Sequence, residues 1–193
     1  MKFYQKIEQI IKSQSFHFKL ESISDNFFNL KQELIIRNYL VETFNSLNVT
    51  YKAFAEFPRE NSKRCDFSII APKNLNEKPF LIELKFSYPK DANYFKNYAS
   101  TFKRDFSTSR LSSLGLNTSM FVLIVPVWNK NDMRQLNNKL NITHNLNMYM
   151  ADQDVWKENA LLMFDNQVKE GHIYSTIKHT VNKPIKVEYH FSN

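Results

Sequence analysis

The stretches Arg64-Cys65-Asp66-Phe67-Ser68-Ile69-Ile70 and Phe80-Leu81-Ile82-Glu83-Leu84-Lys85-Phe86 decide how the rest of the chain is read. Both are short, apolar and bounded by turn residues, and both read as strands. Each carries charge that an ordinary buried strand avoids. Alternation puts Glu83 and Lys85 on one face of the second strand, with Phe80, Ile82, Leu84 and Phe86 on the other. The segment Pro72-Lys73-Asn74-Leu75-Asn76 between them is a turn, so the two strands form a hairpin that can bring Asp66 beside Glu83 and Lys85. The plain alternative is an edge strand whose outward face carries solvated charge, a common guard against aggregation.

Two carboxylates and an ammonium at one spot can hold a divalent metal and a water. Magnesium takes oxygen ligands and usually only one or two protein carboxylates, with waters and substrate phosphate in the other positions. Asp66 and Glu83 supply that minimum, and the Leu84 carbonyl between Glu83 and Lys85 offers a neutral third ligand. A bound metal would lower the pKa of a coordinated water and neutralise charge on a phosphate. Lys85 would orient the attacking water or stabilise the pentavalent transition state. This is the chemistry of phosphodiester hydrolysis.

On these residues the chain resembles the PD-(D/E)XK nuclease superfamily, which has the restriction-endonuclease-like fold. The resemblance rests on Asp66 in one strand and Glu83-Leu84-Lys85 in the next, seventeen positions later, and covers about residues 25–130. Cys65 stands where the literal motif has proline. The superfamily often carries a glutamate near the start of a preceding helix. The resemblance assigns that role to Glu33 in Gln32-Glu33-Leu34-Ile35-Ile36-Arg37-Asn38-Tyr39-Leu40, with Glu42 as the alternative. It implies a catalytic set of Asp66, Glu83, Lys85 and Glu33, with Mg2+ as cofactor, Mn2+ able to substitute, and DNA as substrate. The expected activity is that of a type II restriction-type endonuclease working as a homodimer whose two subunits cut two strands. A structure-specific repair, recombination or mobile-element nuclease would share the same site. A nucleic-acid-binding module that no longer cleaves, and an enzyme acting on small molecules or carbohydrates, are the readings from other classes.

Composition fits one α/β domain over residues 1–193, with a core at about 25–130 and a C-terminal extension at about 131–193. A chain of this length, 42% hydrophobic with 17 Phe and 9 Tyr, can fill one ring-rich core. Only Gly115 and Gly171 are glycine, so a glycine-rich phosphate loop is excluded. The lone Cys65 cannot form an intramolecular disulfide, and five scattered histidines make no zinc cluster. Alternation points the Cys65 side chain to the face opposite Asp66, where it would pack in the core. No run approaches the length of a membrane helix and no apolar leader opens the chain, so a cytoplasmic protein with no membrane partner is expected.

The net charge of +7 favours an anionic partner. Arg59, Lys63 and Arg64 crowd before Asp66, while Lys96, Lys103, Arg104 and Arg110 follow Lys85 on an expected helix. Both groups flank the candidate site, as residues that position a phosphate backbone would. For any one of them a merely solvated side chain is the plainer reading.

Periodicity and breakers supply the element order. Phe3, Ile7, Ile10 and Ile11 predict a short amphipathic helix over 3–12, and Ser24 or Asp25 is expected to cap a second one reaching about Leu47. Strands follow at Val49–Phe57, Cys65–Ile70 and Phe80–Ser87, then a helix from Asp91 to about Ser113 closed by Gly115, then an apolar strand Met120–Val127. The result is an α-β-β-β-α-β core with a central mixed sheet flanked by helices and a C-terminal α/β extension. In that extension Asp132 starts a short helix to Leu140, Asn137–Asn147 is a loop, and Trp156–Phe164 is helix or strand. The tail, His172–Thr180 and Ile185–Phe191 around Asn182-Lys183-Pro184, alternates as a hairpin that extends the sheet or seals a dimer.

Overall fold

A computed structural model of the chain describes residues 3–27, 32–61, 63–74, 76–86, 111, 114–128, 171–180 and 183–192. Three helices come first: α1 (Phe3–Lys12), α2 (Gln14–Asn26) and α3 (Glu33–Leu47). The strands are β1 (Lys52–Ala55), β2 (Arg59–Glu60), β3 (Lys63–Arg64), β4 (Phe67–Ile70), β5 (Phe80–Phe86), β6 (Met120–Trp128), β7 (Gly171–Thr180) and β8 (Lys183–Ser192). The architecture is α/β, built on the mixed four-strand sheet β1-β4-β5-β6. Antiparallel pairing joins β1 to β4 and β4 to β5, whereas β5 and β6 run parallel with Glu83 opposite Phe121. The β7–β8 hairpin continues that sheet, with β8 antiparallel to β6, and β2–β3 is a separate small hairpin.

The helices lie over the sheet because their apolar stripes match its apolar face. Ile7, Ile10 and Ile11 of α1, Phe16, Leu20 and Ile23 of α2, and Ile36, Leu40 and Phe44 of α3 are all buried. They form one core with Phe67 and Ile69 of β4, Ile82, Leu84 and Phe86 of β5, and Met120, Val122 and Ile124 of β6. At roughly 1.5–3 kcal/mol for each fully buried large apolar side chain, this cluster is the main source of stability. Asn45 ties α3 to the outer strand: its side-chain amide donates to the Ala53 carbonyl at 3.0 Å and its oxygen accepts the Ala53 N–H at 2.7 Å. One helical side chain thus satisfies a strand edge that would otherwise be left open.

Several expected boundaries are corrected. The helix expected from Ser24 or Asp25 to Leu47 is two helices, because both residues lie in the last turn of α2 and α3 begins afresh at Glu33. Ser13 instead caps α2, its hydroxyl accepting the Phe16 N–H at 3.2 Å. The strand expected at Val49–Phe57 shrinks to Lys52–Ala55; Val49 is 95% exposed, and Glu56 has φ 53°, which ends the extended run. The strand expected at Cys65–Ile70 starts only at Phe67, and the β2–β3 hairpin before it was not foreseen. The hairpin of β4 and β5, the strand at β6 and the C-terminal hairpin fall where periodicity places them, within a residue or two. Gly115, at φ 61°, turns the chain between the bridged residues Leu111 and Leu116. The expected helix at Asp91–Ser113 lies, apart from Leu111, outside the described residues, as do the expected elements between Asp132 and Phe164. Among the described residues no helix is long and apolar enough to cross a membrane.

Candidate active site where two strands part

Strands β4 and β5 are paired only from Ile69 opposite Phe80 to Phe67 opposite Ile82. Beyond that point β5 runs on to Phe86, while the other chain bends at Asp66 and stays with the β1 side, where the Asp66 carbonyl accepts the Glu56 N–H at 2.8 Å. The edge of β5 is therefore open at Leu84 and Phe86, whose N–H groups point the same way because alternate residues share an edge. Two carboxylates close it. Asp66 Oδ2 accepts the Leu84 N–H at 2.7 Å, and Glu33 Oε2 accepts the Phe86 N–H at 2.9 Å. Glu33 is the first residue of α3, where the positive end of the helix dipole favours a carboxylate.

Lys85 stands between these acids. Its Nζ lies 3.5 Å from Glu33 Oε1 and 4.0 Å from Asp66 Oδ2. Burial alone would lower its pKa, but the negative charges of Glu33, Asp66 and Glu83 outweigh that and hold it above the usual lysine value. Lys85 is consequently an ammonium throughout the neutral range. Glu83 is only 3% exposed. The Lys85 ammonium thus stands in the field of three acids, Glu33, Asp66 and Glu83.

Cys65 differs from expectation. The bend at Asp66 breaks the alternation, and the thiol packs with Leu81 and Leu111, on the face of β5 that carries Glu83. Sγ lies 3.2 Å from the Ile82 carbonyl and 3.4 Å from that of Phe67. Burial, then the charges of Glu83 and Asp66, push its pKa far above the usual thiol value. It is buried, as expected, but against the site rather than away from it.

The sequence-predicted residues Glu33, Asp66, Glu83 and Lys85 thus come together, with Leu84 contributing its backbone: its N–H binds Asp66, and its carbonyl shares the same strand edge. Glu42, the alternative helical acid, is exposed on α3. Arg59, Lys63 and Arg64 sit on the β2–β3 hairpin, while Lys96, Lys103, Arg104 and Arg110 lie outside the described residues.

Sequence reasoning missed Glu56 and Arg37. Glu56 Oε1 accepts from Arg37 Nη1 at 3.1 Å, and Oε2 accepts from Arg59 Nη2 at 2.6 Å with Arg64 Nη1 at 3.7 Å. The Arg37 hydrogen bond is the chief reason that the Glu56 carboxyl stays below its usual pKa; burial opposes it and the arginine charges reinforce it. The four-residue spacing of Glu33 and Arg37 places them on one side of α3 and was a signal for Arg37. Nothing local signals Glu56.

Among the described residues no group of three or more His, Cys, Asp or Glu side chains is placed to hold a metal ion. No family model, curated protein or solved structure matches the chain.

Proposed function

We propose that this protein is a magnesium-dependent DNA endonuclease with a restriction-endonuclease-like core, working at the end of β5 where β4 turns away. One observation carries the reading: Glu33 at the start of α3 and Asp66 at the bend before β4 converge within 4.0 Å of the Lys85 ammonium on β5, with Glu83 on the same face of that strand. Solvated edge charge needs no such convergence, and it does not bury a glutamate to 3% exposure. The element order α3, β1, β4, β5 and then β6 parallel to β5 also agrees with the core that the resemblance implies.

The donor set suits magnesium. It consists of oxygens, and magnesium takes one or two protein carboxylates at a site completed by other oxygens. Asp66 spends Oδ2 on the Leu84 amide, which leaves Oδ1 for a cation. Asp66 and Glu83, with the Leu84 carbonyl, would hold the ion, and manganese would substitute. When bound, the ion supplies Lewis acidity and charge neutralisation at the phosphate.

The remaining work falls to the chain's own groups. Lys85 enters as a charged donor, so it orients the attacking water or stabilises the anionic transition state and does not act as a base. Glu33 holds Lys85 in place through Oε1 and fixes the end of β5 through Oε2. A type II restriction-type enzyme acting as a homodimer is the preferred form.

The test is cleavage of linear, supercoiled and branched DNA with Mg2+ or Mn2+, by the wild type and by Asp66→Asn. Discrete fragments that the variant fails to produce support the restriction-type reading. Cutting confined to branches assigns the protein to structure-specific nucleases. Wild-type protein that cuts none of these substrates in either metal contradicts the proposal.

A further inference from the structure

The flank of the site carries a second charged cluster of opposite sign. Three guanidiniums, Arg37, Arg59 and Arg64, surround the single carboxylate of Glu56. Their exposures differ in kind: the Arg37 side chain is 12% exposed, whereas Arg59 and Arg64 are 61% and 58% exposed. Arg37 is thus a support, and the other two face solvent. Exposed ion pairs contribute little to stability. Glu56, at the centre of the cluster, has φ 53°, a conformation that a residue with a Cβ rarely adopts. Glu56 Oε2 and its own backbone carbonyl both fasten Arg59, at 2.6 and 2.9 Å, so the guanidinium is set in one orientation. Arg59 and Arg64 are also direct partners across the β2–β3 hairpin, and both lean on Glu56 Oε2, one carboxylate shared by two like charges side by side.

The two clusters are neighbours through the backbone, since the Glu56 N–H donates to the Asp66 carbonyl at 2.8 Å. We infer that Arg59 and Arg64, fixed by Glu56 and Arg37, form a clamp for a backbone phosphate of the DNA strand, flanking the phosphate that is cleaved. Arg59 spends its Nε and one Nη2 hydrogen on Glu56 and so offers the phosphate its remaining Nη1–Nη2 edge, and guanidinium suits phosphate better than ammonium does. Glu56 and Arg37 are positioning residues in this arrangement and touch no substrate. The inference rests on the nuclease reading and adds to it a binding register: one phosphate at the β5 end, the adjoining one on the hairpin.

The test is DNA binding by the full chain without divalent metal, followed over a range of KCl concentrations, so that cleavage plays no part. Each phosphate neutralised contributes about 0.9 to the slope of log K against log salt on duplex DNA, so Arg59→Ala with Arg64→Ala, which empties the one clamp, is expected to flatten the slope by about 0.9. Lys73→Ala, which removes a charge at the far end of the β4–β5 hairpin, is expected to leave it unchanged. Arg59→Gln with Arg64→Gln should behave as the alanines do and covers the case in which those fail to fold. An unaltered slope in a folded double variant, or an equal loss per charge in Lys73→Ala, overturns the clamp and leaves the nuclease reading standing. Wild-type protein that binds no DNA removes both.

Discussion

Glu33 uses both of its oxygens, one on the Phe86 amide and one on Lys85. Glu33→Ala should therefore slow cleavage by about 10–100-fold, the usual cost of losing a residue that orients a site. Glu42→Ala should leave the rate unchanged, and single-turnover cleavage separates the two. Lys85→Ala should cost about 10²–10³-fold, as loss of one transition-state donor does. Because the folded-state pKa of Lys85 is raised, its contribution to stability is complete below the unfolded value and is lost only as pH rises through the higher folded one. The unfolded value is about 10.4, so no loss of activity between about pH 7 and 9 should trace to Lys85. A fall in that window that disappears in Lys85→Arg would contradict this. Cys65 should resist iodoacetamide at neutral pH until the protein unfolds, because it is buried and its thiol stays protonated. Rapid labelling of the folded protein would refute the packing described for it.

Among the elements, β5 matters most, and it was the easiest to read. Its period-2 pattern separates an apolar face from Glu83 and Lys85, and the Pro72–Asn76 turn fixes its partner. The helix over 3–12, the strand at β6 and the terminal hairpin were legible for the same reason: strong periodicity between clear breakers. Helix α2 was not. It buries Phe16, Leu20 and Ile23 at helical spacing, but Phe18 among them is 54% exposed and blurs the apolar stripe. The start of α3 was misplaced because Gln32 makes no side-chain capping bond, so no cap residue marks it. Strand β1 was overextended because Val49 is β-branched yet lies outside the sheet. Asp66, Glu83 and Lys85 could be named from their strand segments and Glu33 from the resemblance, whereas Glu56 and Asn45 act through contacts between elements that leave no local pattern. Asn45→Ala should destabilise the fold by about 1–3 kcal/mol, the cost of leaving polar groups at a partly covered edge unsatisfied. Denaturant unfolding measures it; a change below about 0.3 kcal/mol, set against the same cost, would show that water replaces the amide at no loss.

At the scale of the whole molecule, a chain with net charge +7 carries an acidic site, so on the proposed nuclease reading the basic surface would draw the polyanion in before the site acts on it. The separation is local as well as global: carboxylates gather at the end of β5, and guanidiniums on the hairpin beside it. The β7–β8 hairpin continues the sheet past β6, which bears out sheet extension as one of the two roles expected for it. The central claim is that Asp66, Glu83 and Lys85 act as one metal-dependent site, and a Mg2+ titration of the DNA cleavage rate tests it most directly, with wild type, Asp66→Asn and Glu83→Gln side by side. The wild-type rate should rise from zero in EDTA and saturate with Mg2+, while both folded variants stay at least about 10²-fold slower at every concentration. Cleavage by the wild type in EDTA, or variants that match its rate, would contradict the account.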